Sequence, residues 1–192
     1  PQAVKLLMNH IGTHDTARIL TVLGKENGQA GDRAWQSAQK LTDEEYSRGV
    51  RLLKLAAVLQ FTLPGVPSVY YGDEAGMQGY GDPFCRAGYP WDKENTELLE
   101  FYKKLGNFRR NSPVFASGEF EPVYANFGDI VYIRRKGNNA VLVAVNRWHE
   151  PSEIDIPAEF AAAKPVFGGM PINGKLQLPA EGFAVLVIMR NS

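Results

Sequence analysis

Apolar and polar positions repeat along this chain with two different periods, and the change falls near Pro113. Before it, helix-like stripes alternate with short apolar runs. Residues 8–12 (Met-Asn-His-Ile-Gly) read as a short strand, and a glycine-rich loop follows through Gly24, Gly28 and Gly31. Thr42 and Glu45 form a capping box: the Thr42 hydroxyl accepts from the Glu45 amide, and the Glu45 carboxylate reaches back to the Thr42 amide. The spacing of Tyr46, Val50, Leu53, Ala57 and Phe61 predicts a helix running on to Phe61. Leu52, Ala56 and Leu59 widen its stripe, which predicts packing on more than one side. Leu63-Pro64-Gly65 ends it. Residues 66–71, rich in β-formers, predict a buried strand. A long loop covers 72–92. Asn95 or Thr96 then caps a second helix with Leu98, Phe101, Tyr102 and Leu105 facing inward. Strand, helix, strand, helix is the unit of a parallel α/β fold.

After Pro113 the period shortens to that of strands. Residues 120–126, 130–135 and 140–146 each predict one, separated by the turns Asn126-Phe127-Gly128-Asp129 and Gly137-Asn138-Asn139. Further strands are predicted at 153–156, 175–178 and 183–189. Six or seven short strands at this spacing suggest an antiparallel β-sandwich. The domain reading is therefore 1–112 for the α/β part and 113–192 for the all-β part.

Composition changes this picture little. Apolar residues make up 44% and charged residues 22% of the 192, values that support a packed core. The formal net charge is zero, with no basic block to bind nucleic acid. No apolar run approaches the ~20 residues of a membrane helix. A single cysteine, Cys85, excludes an internal disulfide and favours a reducing, cytoplasmic setting, with an extracellular one as the alternative because many secreted bacterial enzymes also lack disulfides. The chain starts Pro1-Gln2-Ala3-Val4, without an initiator Met or a signal-peptide pattern, so it is expected to be cut from a longer protein.

Three stretches could carry chemistry. Thr13-His14-Asp15-Thr16 directly follows a strand, where parallel α/β folds place reactive side chains. His14 and Asp15 suit a general acid/base pair or sugar-binding groups; the plainer reading is an Asx turn. Asp73 and Glu74 follow the second strand, and either could simply cap a loop or pair with a nearby Arg. Asp82-Pro83-Phe84-Cys85-Arg86 lies among Tyr80, Tyr89 and Trp91. Flat apolar faces stack on sugar rings, and carboxylates or guanidinium groups bind hydroxyls in pairs. The plainer reading here is a surface loop held by an Asp–Arg pair. Cys85 is expected to be an inert packing residue, His149 is given no role, and no Cys/His cluster supports a metal site.

Order and spacing say more than any single motif. Asn9-x-x-Gly12-Thr13-His14-Asp15-Thr16-x-Arg18, then Gly65-x-Pro67-x-x-Tyr70-Tyr71-Gly72-Asp73-Glu74, then Asp82-Pro83-x-x-Arg86, then Trp91-Asp92, resembles the end of the α-amylase catalytic domain. Within that family the chain is most similar to the neopullulanase, cyclomaltodextrinase and maltogenic amylase group. The resemblance covers the whole chain, since the β-rich tail matches the family's C-terminal domain. It implies the last quarter of a (β/α)8 barrel, strands seven and eight with their helices, followed by a β-sandwich.

The resemblance also implies an activity. The family's retaining mechanism uses a carboxylate nucleophile and a general-acid carboxyl ~5 Å apart. Both are expected on strands four and five, upstream of Pro1. Asp15 matches the third carboxylate, which binds the cleaved ring and stabilises its oxocarbenium-like transition state. His14 matches a neighbour on the same ring, and Asp82 and Arg86 match residues that bind the next sugar. Asp73 and Glu74 match a signature that looks architectural. His10 stands where the group usually has an aliphatic residue, and residues 86–90 depart from the group's common version. The implied whole is a retaining α-glucan hydrolase acting on maltodextrins, cyclodextrins or pullulan without a cofactor, and the segment alone is expected to be inactive. A transglycosylase of the same family shares every motif, and a non-catalytic carbohydrate-binding module remains the alternative. The expected partner is an α-glucan, with no nucleic acid or membrane; a homo-oligomer is left open.

Overall fold

The structure, a computed structural model, describes residues 2–25 and 31–189. Gly28 of the glycine-rich loop lies outside the described residues. The chain divides into two compact units, one of Pro1–Phe61 and Gly65–Asn107, the other of Thr62–Pro64 and Phe108–Ser192.

In the first unit, β1 (Met8–His10) pairs in parallel with β2 (Val66–Ser68), Asn9 opposite Pro67. The α3 helix (Asp43–Thr62) connects them after two short helices, α1 (Ile19–Gly24) and α2 (Arg33–Ala38). The capping box forms as expected: Thr42 N donates to Glu45 Oε2 at 2.8 Å and Glu45 N to Thr42 Oγ1 at 3.2 Å. Val50, Leu53, Ala57, Val58 and Phe61 are buried, whereas Leu52, Ala56 and Leu59 stay half-buried. Gln60 fastens the helix to both strands, donating to Asn9 O at 3.1 Å and Ser68 O at 2.8 Å. Of the two candidate caps for α4 (Thr96–Asn111), Asn95 serves: its Oδ1 accepts from Leu98 N at 3.0 Å. Leu98, Tyr102 and Leu105 face inward, and Tyr102 meets Phe61 edge to face at 5.9 Å.

The second strand departs from expectation. β2 ends at Ser68, and Val66 is 51% exposed rather than buried. Among the described residues β1 is its only sheet neighbour, so no second strand pairs with its other edge. Tyr70 and Tyr71 leave the extended run to pack on an arginine, and Gly72 turns the chain at φ +87°. No closed barrel is present among the described residues.

The second unit is antiparallel. Five strands run in the order β3 (Glu119–Ala125), β4 (Asp129–Lys136), β5 (Asn139–Asn146), β10 (Gly182–Ile188), β7 (Lys164–Gly168). Three more run β6 (Ser152–Asp155), β9 (Lys175–Leu178), β8 (Pro171–Ile172). Both sheets feed one core: Leu142 and Ala144 of β5 and Leu186 of β10 cluster with Ile154 of β6 and with Leu176 and Leu178 of β9. The unbroken apolar run of β5 reflects its central position. Pro122, Pro165 and Pro171 all sit on edge strands, where a missing N–H breaks no internal ladder and blocks further pairing.

A short helix, α5 (Pro113–Ser117), was not expected from the strand-like pattern after Pro113; its proline occupies a first-turn position. It matters because Arg134 on β4 is buried and donates to Thr62 O at 2.7 Å, to Val114 O and Gly118 O at 3.3 Å, and to Glu119 O at 3.3 Å. Its neighbour Arg135 instead bridges Glu121 (2.8 Å) and Glu159 (2.7 Å) in partial contact with solvent. Removing the first orphans buried carbonyls, while removing the second frees two hydrated carboxylates. We expect Arg134→Met to destabilise this unit by about 3–5 kcal/mol and Arg135→Met by under ~1 kcal/mol in urea denaturation followed at Trp148. Equal effects of the two substitutions would contradict the assignment.

Candidate active site

In parallel α/β folds ligands gather beyond the carboxyl ends of the strands, and both loops of interest leave from there. After β1, the 12–18 loop folds into a turn. Thr13 N donates to Thr16 Oγ1 and Asp15 N to Thr13 Oγ1, each at 3.2 Å. After β2, the chain passes through Asp73 and Glu74 to a 3-10 turn at Phe84–Arg86.

These loops meet at His14. Its backbone carbonyl accepts from Arg86 Nε at 3.0 Å and from the Cys85 thiol at 3.2 Å. Arg86 Nη2 lies 3.3 Å from Asp15 Oδ1, and Arg86 Nε 3.0 Å from Asp82 Oδ1. His14 Nε2 lies 3.1 Å from Asp15 Oδ2. The four residues singled out from the sequence therefore form one cluster, although more than sixty positions separate its two halves. Cys85 is buried and anchors the turn, in keeping with a packing residue.

Exposure shows what the cluster is suited to. The side chains of His14 and Asp15 are 65% and 69% exposed. Ion pairs this wet add little to stability. The Asp15 charge and the hydrogen-bonding atoms of both residues stay open to solvent, and a guanidinium flanked by carboxylates matches vicinal hydroxyls with paired donors and acceptors. Of the aromatic residues in the second loop, Tyr80 turns inward and meets Trp35 edge to face at 5.1 Å. Tyr89 and Trp91 pack together at 4.6 Å, with Trp91 75% exposed. Among the described residues, no group of three or more His, Cys, Asp or Glu could hold a metal ion, and no helix is long and apolar enough to cross a membrane.

The sequence motif names Arg18 and the plainer reading pairs Asp73 with an arginine, but neither predicts that this arginine is buried between two tyrosines. Arg18 is 1% exposed, with its guanidinium carbon 4.3 Å from the Tyr70 ring centre and 4.6 Å from that of Tyr71. Its Nη1 donates to Tyr71 O and lies 3.4 Å from Asp73 Oδ1. Asp73 thus pairs with an arginine, and Glu74 accepts from Gly72 N at 2.9 Å. An arginine just ahead of an apolar helix, with a Tyr-Tyr pair elsewhere in the chain, was the available signal.

With this geometry in hand, the chain can be set beside known proteins. The model of the α-amylase catalytic domain matches residues 2–104, more than half of the chain. The chain belongs to the α-amylase family. It is 44% identical to the amylopullulanase of Thermoanaerobacter thermohydrosulfuricus over 129 residues, which cover 67% of this chain and 8% of that protein. It is 35% identical to the cyclomaltodextrinase of Geobacillus thermopakistaniensis (strain MAS1) over 162 residues, 82% of this chain and 24% of that one. The type III pullulan hydrolase from Thermococcus kodakarensis superposes with a TM-score of 0.69 at 30% identity, over 90% of this chain and 27% of that one. The α-amylase family chain thus spans a quarter or less of the curated relatives it matches.

Burial pushes the Asp73 carboxyl up to about 6, against the pull of the Arg18 guanidinium. Between the ordinary carboxylate value of about 4 and this raised one, the folded state keeps a proton that the unfolded state has released. Stability from this group is thus complete below pH ~4 and lost as pH rises through about 6. We expect Asp73→Asn, which cannot ionise, to gain on the wild type by roughly 2 kcal/mol between pH 4 and pH 7 in urea denaturation. Parallel pH curves for the two proteins would contradict it.

Proposed function

We propose that this chain is the C-terminal part of a retaining α-glucan hydrolase, with residues 1–112 contributing the last quarter of a (β/α)8 barrel and 113–192 a β-sandwich domain. The observation that carries the reading is the convergence of His14, Asp15, Asp82 and Arg86 at the strand ends. The names of the relatives, amylopullulanase and cyclomaltodextrinase, support pullulan, cyclodextrins and maltodextrins as the substrate class. In this reading Asp15 binds the ring being cleaved and stabilises the positive charge that develops on it. His14 hydrogen-bonds the same ring. Asp82 and Arg86 bind the neighbouring sugar. The nucleophile and general acid come from strands outside residues 1–192, so the segment alone supplies a sugar-binding wall and no bond-breaking pair.

An ionised carboxylate facing a ring that turns cationic binds the transition state better than the ground state, so its loss lowers kcat more than it changes KM. In the full-length protein, we expect Asp15→Asn to lower kcat by a factor on the order of 10²–10³, as for loss of one preorganised contact. Because Arg86 also holds His14 and Asp15, Arg86→Ala should lower kcat and raise KM together. Steady-state kinetics on maltotriose and pullulan, with melting temperatures to confirm folding, decide the matter. A folded Asp15→Asn protein within about threefold of wild-type kcat removes the transition-state role. A full-length wild type that binds these glucans without cleaving them makes the protein a carbohydrate-binding module instead.

A further inference from the structure

We propose that Asp73 and Arg18 are positioning residues for Asp15, clamping the 12–18 loop at both of its ends. The inference rests on the role of Asp15 given above. Asp15 lies midway between Gly12 and Arg18, and the same carboxyl group engages the loop at each of these two points. At the start, Gly12 is buried against it: a Cβ there would stand 2.9 Å from Asp73 Oδ2, with no room for a side chain. At the end, Arg18 Nη1 pairs with Asp73 Oδ1 at 3.4 Å and donates to the carbonyl of Tyr71. The two tyrosine rings cover the guanidinium, and the backbone N of Arg18 donates to Gly79 O at 2.9 Å.

Between these anchors the loop's own hydrogen bonds, among Thr13, Asp15 and Thr16, are exposed, and from outside the loop Cys85 and Arg86 meet the His14 carbonyl while Arg86 reaches Asp15 through an exposed ion pair. Water competes for such bonds, so they do not fix a carboxylate by themselves. The buried anchors do. Arg18 Nε and Nη2 and Asp73 Oδ2 are buried without a hydrogen-bond partner among the described residues. A pair so incompletely satisfied is a poor device for stability, whereas its planar guanidinium, held between two rings, defines a direction that a lysine cannot. A catalytic group displaced by ~1 Å can lose on the order of 10²-fold in rate, which is what such a clamp would prevent.

The test uses the full-length enzyme and four proteins: wild type, Arg18→Lys, Asp15→Asn and the double variant. Arg18→Lys keeps the charge and loses the plane. We expect it to lower kcat at least about tenfold with KM changed less than about threefold, and to lower kcat less than about twofold further when Asp15 is already Asn. The melting temperature should fall by the same amount in both backgrounds. If the kcat losses multiply, Arg18 acts through general stability and the positioning role is overturned. If Asp15→Asn alone is silent, the functional reading of Asp15 fails and the clamp loses its object. Should Arg18→Lys not fold, Gly12→Ala presses on Asp73 from the other end of the loop, and the same non-multiplicative loss is expected. A multiplicative loss there overturns the positioning role equally.

Discussion

The carbonyl oxygen of His14 is where the candidate site is assembled. It accepts from Arg86 and from the Cys85 thiol at once, and both come from a turn more than seventy residues further along the chain. Without that carbonyl, the His14–Asp15 turn and the Asp82–Arg86 turn would be joined only by the exposed Arg86–Asp15 pair among the contacts described. With it, three charged side chains and an imidazole share one small exposed area. The two loops can meet there because β1 and β2 lie side by side and parallel, and Gln60 of α3 ties both strands to the helix between them.

Charge is used in two opposite ways within a few residues. The exposed cluster of His14, Asp15, Asp82 and Arg86 is weakly coupled to folding and open to solvent. The buried pair of Arg18 and Asp73 is closed to solvent, and that burial raises the Asp73 carboxyl above its ordinary range in spite of Arg18. The same contrast recurs in the β-rich unit, where buried Arg134 binds backbone carbonyls and adjacent Arg135 binds carboxylates at the surface. In each case burial, not residue type, determines whether an arginine is tied into the fold or left open to solvent.

Much of this was legible in the sequence, for reasons that are local. Thr42 and Glu45 sit three residues apart, which is all a capping box needs. The strands of the second unit are bounded by Asn- and Gly-rich turns and were read to within a residue or two at most ends. The long-range features were less legible. β7 contains Pro165 and ends in Gly168, so its composition argues against a strand, yet pairing with β10 makes it one. The run 66–71 has the composition of a buried strand, and only its neighbours could show that Val66 is exposed. The motifs named Arg86 as a sugar-binding residue, but its bonds to His14 and Asp15 depend on the meeting of two loops. The burial of Arg18 was invisible for the same reason, since its two tyrosines and its carboxylate all come from the β2 side.

The central claim is that the His14–Asp15 corner binds an α-glucan ring, and the chain offers a direct probe of it. It contains three histidines: His10 on β1, His14 in the cluster, and His149 on the β-rich unit beside Glu181. In a 1H–13C NMR titration of residues 1–192 with maltotriose, each imidazole gives its own signal, assigned by substituting each histidine with Gln in turn. The account predicts that the His14 signal moves saturably while those of His10 and His149 stay in place. A His14 signal that remains fixed at saturating sugar, or three signals that move together, would contradict it.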